Sequence, residues 1–300
     1  MDKLHYSVML NETVDSLGVR PDGIYVDLTL GMGGHSSEIL KKLTSGHLFS
    51  FDKDQFAIRM ASEKLSKISN NFTLIKSDFQ NIKSKLKSLN VEKVDGIIAD
   101  LGFSSPQVDQ ADRGFSYNKD AVLDMRMDQE QEISALDVIN KYSEEKISQI
   151  LRDYADVKLH KKVAKAIISQ RPITRTLELV EIIKNAYPAA LLRQKNPAKA
   201  IFQAIRIEVN NELSSLEKML NDSLEILNPK GVIAIITFHS IEDRIVKNFI
   251  KKITYSTIPD KMPIQEEKKY EIKQILPSNE EIQENKRSKS AKLRIIKKCL

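Results

Sequence analysis

The run Gly31-Met-Gly-Gly-His35 follows a short apolar stretch that carries one acid, Ile24-Tyr-Val-Asp27-Leu-Thr-Leu30. This order reads as strand, glycine turn, helix, which lets a nucleotide-like ligand lie against bare backbone at the carboxyl end of a strand. A dinucleotide site wants G-x-G-x-x-G, so that a pyrophosphate rests on the helix start. Here the third glycine position is Ser36 and the pattern is G-x-G-G. With Asp27 just before the turn, the spacing favours a cationic nucleoside, S-adenosylmethionine, over a diphosphate. An ordinary glycine-rich turn is the other reading.

The next strand patterns end in polar groups as well. His47–Phe51 runs into Asp52, about 20 residues past the glycines, where α/β nucleotide sites place the carboxylate that bonds ribose hydroxyls. Phe72–Ile75 ends in Ser77-Asp78-Phe79, a polar–aromatic pair suited to adenine, the ring by stacking and the amine by a hydrogen bond. Asp95–Ala99 ends in Asp100-Leu-Gly-Phe-Ser104-Ser105-Pro106-Gln107. Acids or glycines at four successive strand tips mark one edge of a sheet as the site. The stretch Ser104-Ser105-Pro106-Gln107 stands where amino-directed methyltransferases carry Ser/Asp/Asn-Pro-Pro-aromatic. A hydroxyl and a carbonyl there accept both N–H bonds of a conjugated amine. Its lone pair then points at the sulfonium methyl for in-line displacement, with alignment supplying most of the catalysis. The match is partial, with Gln107 in place of the aromatic and a single proline; a plain turn is the alternative.

These residues need a scaffold. Strand and helix patterns alternate through residues 23–101, which predicts a parallel sheet. Residues 102–128 read as loop and 133–187 as successive amphipathic helices. Asn196-Pro197 opens a helix with a cap and a first-turn proline. Its apolar positions, from Phe202 through Val209 and Leu216 to Leu227, recur near the ~3.6 helical period, and Asn228-Pro-Lys-Gly231 breaks it. Val232–Phe238 reads as a buried strand. Ser240 then caps a helix through Ile250 with Asp243 near N3. Residues 255–285 read as a polar connection or weak edge strand, and Ala291–Lys298 as an edge strand. The expected architecture is α/β: a class I, Rossmann-like methyltransferase with a seven-stranded, mostly parallel sheet. The sheet domain would comprise 1–107 and 206–300, interrupted by a helical insertion for substrate recognition at 108–205.

Composition bounds the partners. At 41% hydrophobic, 300 residues bury a sizeable core. The longest clean apolar run is the eight residues Gly231–Phe238, too short for a membrane span, and the N-terminus lacks a signal-peptide core. The single cysteine, Cys299, excludes a disulfide framework and points to the cytosol. The five histidines lack metal-ligand spacing, so no metal is expected. Net charge is +6, unevenly placed: Lys158–Arg206 holds eleven Lys or Arg against Glu178 and Glu181, and Lys286–Lys298 holds seven with no acid. Two such stretches suggest a polyanion, most simply nucleic acid; a solvated lysine-rich surface is the rival.

Seven longer motifs carry a resemblance: Asp100-Leu-Gly-Phe-Ser-Ser-Pro-Gln-Val-Asp109, Arg113-Gly-Phe-Ser116, Leu123-Asp-Met-Arg-Met-Asp128, Phe202-Gln-Ala-Ile-Arg-Ile207, Val209-Asn-Asn-Glu-Leu213, Phe238-His-Ser-Ile-Glu-Asp-Arg244 and Arg287-Ser-Lys-Ser-Ala-Lys-Leu-Arg294. Together they resemble the bacterial ribosomal RNA small-subunit methyltransferase H (MraW) family, from about His5 to Arg294. The resemblance implies methylation of cytosine N4 in the decoding region of 16S rRNA, using S-adenosylmethionine. The partner would be 16S rRNA or the small ribosomal subunit. It places cofactor contacts at Gly33, Gly34, His35, Asp52, Phe79, Asp100 and Gln107. Catalytic candidates are Ser104, Ser105 and Pro106, joined by Asp124 and His239. Asp124, Arg126 and Asp128 alternate with methionines and read either as a salt-bridged loop or as the lining of a base pocket. His239 reads as a structural strand-end residue or, in the family frame, as a substrate contact.

The chain departs from the family pattern at Asn196-Pro-Ala-Lys-Ala-Ile201, at Ala155-Asp-Val157 and at Ser7. Three rivals stand beside the leading reading: an RNA-binding ribosome-assembly protein with a vestigial cofactor pocket, an amino-methyltransferase of DNA or another RNA, and, more distantly, a nicotinamide oxidoreductase. Oligomeric state is open, a homodimer included.

Overall fold

Seven strands form one sheet: β1 (Ile24–Asp27), β2 (His47–Asp52), β3 (Phe72–Lys76), β4 (Val94–Asp100), β5 (Leu227–Thr237), β6 (Tyr270–Ile275) and β7 (Lys292–Lys298). The computed structural model describes residues 7–102, 110–255 and 268–300. The spatial order is β3-β2-β1-β4-β5-β7-β6. β1 to β5 pair in parallel, and β7 runs antiparallel to both β5 and β6. This is the expected class I arrangement. Strand order reverses between β1 and β4, and open α/β sheets bind ligands in the crevice at such a switch point, beyond the carboxyl ends of the strands.

Parallel strands covered on both faces read as continuous apolar runs, and the alternation of side chains sorts those runs into two cores. Ile97, Ala99, Ile233 and Ile235 join one core with Ile82 and Leu86 of α4 (Ile82–Ser88). Leu216, Met219, Val246 and Phe249 also belong to it. Ile98, Ala234 and Ile236 join the other with Ile39 and Leu40 of α2 (Gly34–Lys42) and Ala61 and Leu65 of α3 (Gln55–Leu65). Val14 of α1 (Leu10–Ser16) packs there too.

The chain divides into two units: Met1–Gly102 with Leu213–Leu300, and Phe103–Glu212. The second is helical: α5 (Ala135–Lys141), α6 (Glu144–Ala155), α7 (His160–Ser169), α8 (Thr176–Ala186), α9 (Ala189–Leu192) and α10 (Ala198–Asn210). Its own core takes Val138, Ile147, Leu151, Val163, Ile167, Leu179, Ile183, Phe202 and Ile205, spaced as single helix faces. Ser134 and Asp137 form a reciprocal capping box on α5, and Ser143 caps α6.

Four local expectations are corrected. The helix expected to run unbroken from Phe202 to Leu227 is two, α10 and α11 (Glu212–Ile226), separated by Asn211 at φ 53°. Asparagine tolerates this left-handed conformation, and the apolar period survives the break, which hides it in the sequence. Asn228–Gly231 lies inside β5 as a bulge: the register jumps from Val94 opposite Leu227 to Gly96 opposite Val232, with Lys230 at φ 65°. β7 is an interior strand, and β6 is the edge. Arg294 disguised β7, because its charge is buried against Asp243. Finally, the helix α12 (Ser240–Ile253) is capped by His239 rather than Ser240, with Glu242 rather than Asp243 at N3. Glu242 reaches back to the Phe238 N–H, whereas Asp243 is taken by Lys292 and Arg294.

Among the described residues no helix is long and apolar enough to cross a membrane, and no His/Cys/Asp/Glu cluster could hold a metal ion.

Candidate active site

The turn after β1 is built from backbone. Leu30 N–H donates to Phe51 O at 2.9 Å, and Gly33 N–H closes on Leu30 O at 2.7 Å. Gly33 precedes α2 at φ 70°, and a Cβ there would lie 3.3 Å from Ala61 Cβ. A Cβ on Gly34 would overlap Ser7 Oγ. Position 33 therefore favours glycine for its backbone conformation, and at Gly34 an added Cβ would force Ser7 to shift.

Asp27 braces this turn from behind. It is fully buried; Oδ1 accepts the Thr29 N–H at 3.0 Å and Oδ2 the Ser36 hydroxyl at 2.7 Å. Both of its oxygens are taken within the protein, so it shapes the turn rather than meeting a ligand directly. Thr29 in turn links β1 to β4, its Oγ1 accepting the Asp100 N–H at 2.7 Å.

Asp52 closes the neighbouring tip. Its Oδ2 accepts the Gly31 N–H at 2.9 Å and its Oδ1 the Asp54 N–H at 2.8 Å. Burial pushes its pKa up to about 6, helped by Asp54 and Asp27 and opposed by the two backbone donors. At the β3 tip Asp78 is occupied: Oδ1 accepts the Gln80 N–H, and Oδ2 meets Lys53 Nζ at 2.5 Å and the Ser215 hydroxyl at 3.2 Å. Lys53 Nζ also lies 5.8 Å from the centre of the half-buried Phe79 ring.

Asp100 ends β4 at the switch point. Its Oδ1 is buried and meets no hydrogen-bond donor among the described residues, and its Oδ2 lies 3.9 Å from His35 Nδ1. Burial, then the negative charges of Asp27 and Glu242, hold its carboxyl well above the usual range. His35, 3% exposed, puts Nε2 3.2 Å from the Val8 carbonyl oxygen. That carbonyl only accepts, so Nε2 carries the proton and Nδ1 offers its lone pair towards Asp100. Burial pushes the His35 pKa down, which keeps the ring neutral.

At the β5 tip His239 Nδ1 accepts the Glu242 N–H at 3.3 Å. Its Nε2 sits 3.0 Å from Glu242 Oε1, off the line a hydrogen bond needs. In the helical unit, Asp124 is gripped by Arg126 in a two-pronged fork of 2.8 and 2.9 Å, the salt-bridged-loop arrangement. Asp128 Oδ1 accepts the Glu130 N–H. Ser104, Ser105, Pro106 and Gln107 lie outside the described residues.

The structure thus joins Gly33, Gly34, His35, Asp52, Phe79 and Asp100 along adjacent strand tips of one unit. Sequence reasoning missed Glu242, which sits buried beside Asp100's field. The spacing His239-x-x-Glu242 is a capping signature that a histidine in the cap position obscured. A turn without side chains at Gly33 and Gly34, Asp52 beside it and a carboxylate oxygen lacking a donor suit a cationic nucleoside, whereas a diphosphate would meet Asp52 and Asp100.

Comparison with known proteins agrees with this chemistry. The MraW methylase family matches residues 2–299. The chain belongs to that family. It is 57% identical over 300 residues to the ribosomal RNA small subunit methyltransferase H of Mycoplasmopsis agalactiae, covering 100% of both chains. Proteins of the same name from Mycoplasmopsis synoviae and Clostridioides difficile are 55% and 50% identical, each covering 99% of this chain, and 99% and 100% of their own. In this MraW methylase the glycine turn, Asp52 and Asp100 share the edge of the sheet where strand order reverses.

Proposed function

We propose that the chain transfers the methyl group of S-adenosylmethionine to N4 of a cytosine in the decoding region of 16S rRNA. The observation that carries the reading is the buried Asp100 Oδ1, without a donor among the described residues, set at the switch point beside a bare-backbone glycine turn in a methylase family. Bound there, the cofactor supplies an electrophilic sulfonium methyl. Gly33 and Gly34 allow its close approach, and Asp52 meets the ribose hydroxyls. The Phe79 ring meets the adenine, and Gln107 completes the contacts. Asp78 is not given the adenine amine, because Lys53, Ser215 and the Gln80 N–H hold it.

Ser104, Ser105 and the Pro106 carbonyl accept the two N–H bonds of the cytosine amine and aim its lone pair for in-line displacement. The cytosine leaves its stack to get there. His239 fixes the start of α12 beside the base, and the Asp124–Arg126 fork holds its loop. The alkylated amine is acidic, so water takes the proton and no general base is required. RNA backbone is held by the basic stretches 158–206 and 286–298, with the helical unit recognising substrate. The protein would act in the cytoplasm, where ribosomes are assembled.

The test is transfer of labelled methyl from S-adenosylmethionine to small ribosomal subunits, naked 16S rRNA and DNA side by side. Label on a 16S cytosine N4 supports the reading. Label on DNA alone overturns it, and RNA binding without any transfer favours an assembly protein.

A further inference from the structure

Asp100 occupies an unusual setting for an acid. Its inner oxygen is buried and meets no donor among the described residues, and its outer oxygen, on a side chain 22% exposed, lies 3.9 Å from Nδ1 of His35. His35 cannot readily serve as a counter-charge, because its Nε2 proton is committed to Val8 O and its interior site disfavours a second one. Among the described residues, the other charges that act on Asp100 are the acids Asp27 and Glu242. Asp27 on β1 is satisfied by Thr29 and Ser36, and Glu242 on α12 by Phe238 and His239. A carboxylate with one oxygen buried and without a donor or a cation is costly to ionise, and such a group favours holding its proton.

We propose that Asp100 is protonated in the free protein and releases that proton to solvent when the sulfonium cation of the methyl donor binds. The exchange balances in charge: a cation enters, Asp100 becomes the carboxylate that faces it, and one proton leaves. S-adenosylhomocysteine, the thioether product, carries the same ribose, adenine and amino-acid groups but no sulfonium charge. It offers Asp100 no sulfonium to face and so less reason to ionise. The donor is therefore held more tightly than the product, and the preference grows as pH rises towards the range where Asp100 ionises unaided. Product release is built into the charge of one side chain. The inference rests on the reading of S-adenosylmethionine as cofactor.

Calorimetric titration in two buffers of different ionisation enthalpy counts the protons released. Run with S-adenosylmethionine and S-adenosylhomocysteine across pH 6 to 8, it also cancels the titration of Asp52, which both ligands meet alike. The expected result is up to one more proton released by S-adenosylmethionine. The ratio of the two dissociation constants should change by up to about tenfold per pH unit while Asp100 stays protonated in the free protein. Asp100→Asn should abolish the difference in protons. Glu242→Gln keeps an oxygen for the Phe238 N–H but removes a negative charge, and should move the response to lower pH. Equal proton release by both ligands in the wild type overturns the inference and leaves the cofactor reading standing. Failure of both ligands to bind overturns both.

Discussion

Asp52 Oδ2 accepts the backbone N–H of Gly31 at 2.9 Å, tying the tip of β2 to the turn that follows β1. The bond comes with a pH signature. The Asp52 pKa is raised to about 6 in the folded protein, so the native state holds a proton that the unfolded chain has lost. Stability from this group is present at low pH and falls as pH rises through 4 to 6. The loss is at most about 3 kcal/mol, because a tenfold change in proton affinity is worth about 1.4 kcal/mol. Urea unfolding of the wild type and Asp52→Asn at intervals from pH 4.5 to 7.5 should show the wild type losing stability relative to the variant. A difference that stays constant with pH contradicts the assignment.

Gly33 stands at φ 70° with Ala61 Cβ only 3.3 Å from where its own Cβ would be. Gly33→Ala should cost about 1–2 kcal/mol from the left-handed backbone, with a further cost from the contact. Adding Ala61→Gly should recover the contact part alone. Denaturant midpoints of the two variants measure both parts, and full recovery would show that the backbone conformation is not the cause.

Much of this arrangement could be read from residue order. Four strand tips, the glycine turn, Asp52 and Asp100 were visible because parallel strands are apolar along their length and end abruptly in polar residues. The features that were not visible depend on partners distant in sequence. The bracing role of Asp27 emerges only when Ser36 and Thr29 close on it. Arg294 makes β7 look like an edge strand until Asp243 neutralises it. Asn211 interrupts a helix whose apolar period runs on unbroken. Glu242 reveals its place only when the fold brings its charge to bear on Asp100.

Arg206 and Glu212 form a buried two-pronged ion pair of 2.8 Å per arm across the Asn211 break. Removing one partner leaves a buried charge uncompensated, which costs about 3–5 kcal/mol. Arg206→Met should destabilise by that order, and Arg206→Met with Glu212→Gln should recover part of the loss. Equal stability of the single and double variants in urea would show that the pair is not coupled.

Lys161, Lys162 and Lys165 are exposed on α7. If they meet RNA phosphates, replacing all three by Gln should lower affinity for 16S rRNA. It should also reduce the slope of log affinity against log salt by about 0.7–0.9 per lost contact. Fluorescence anisotropy over a salt series measures the slope; an unchanged slope removes this helix from the RNA surface.

The reaction and its target are tested most directly by mass spectrometry of nucleosides and fragments from small-subunit rRNA, with and without this protein in the cell. The expected result is loss of an N4-methyl mark on a decoding-region cytosine, restored by the wild type and not by Asp100→Ala. An unchanged methylation map would contradict the assignment.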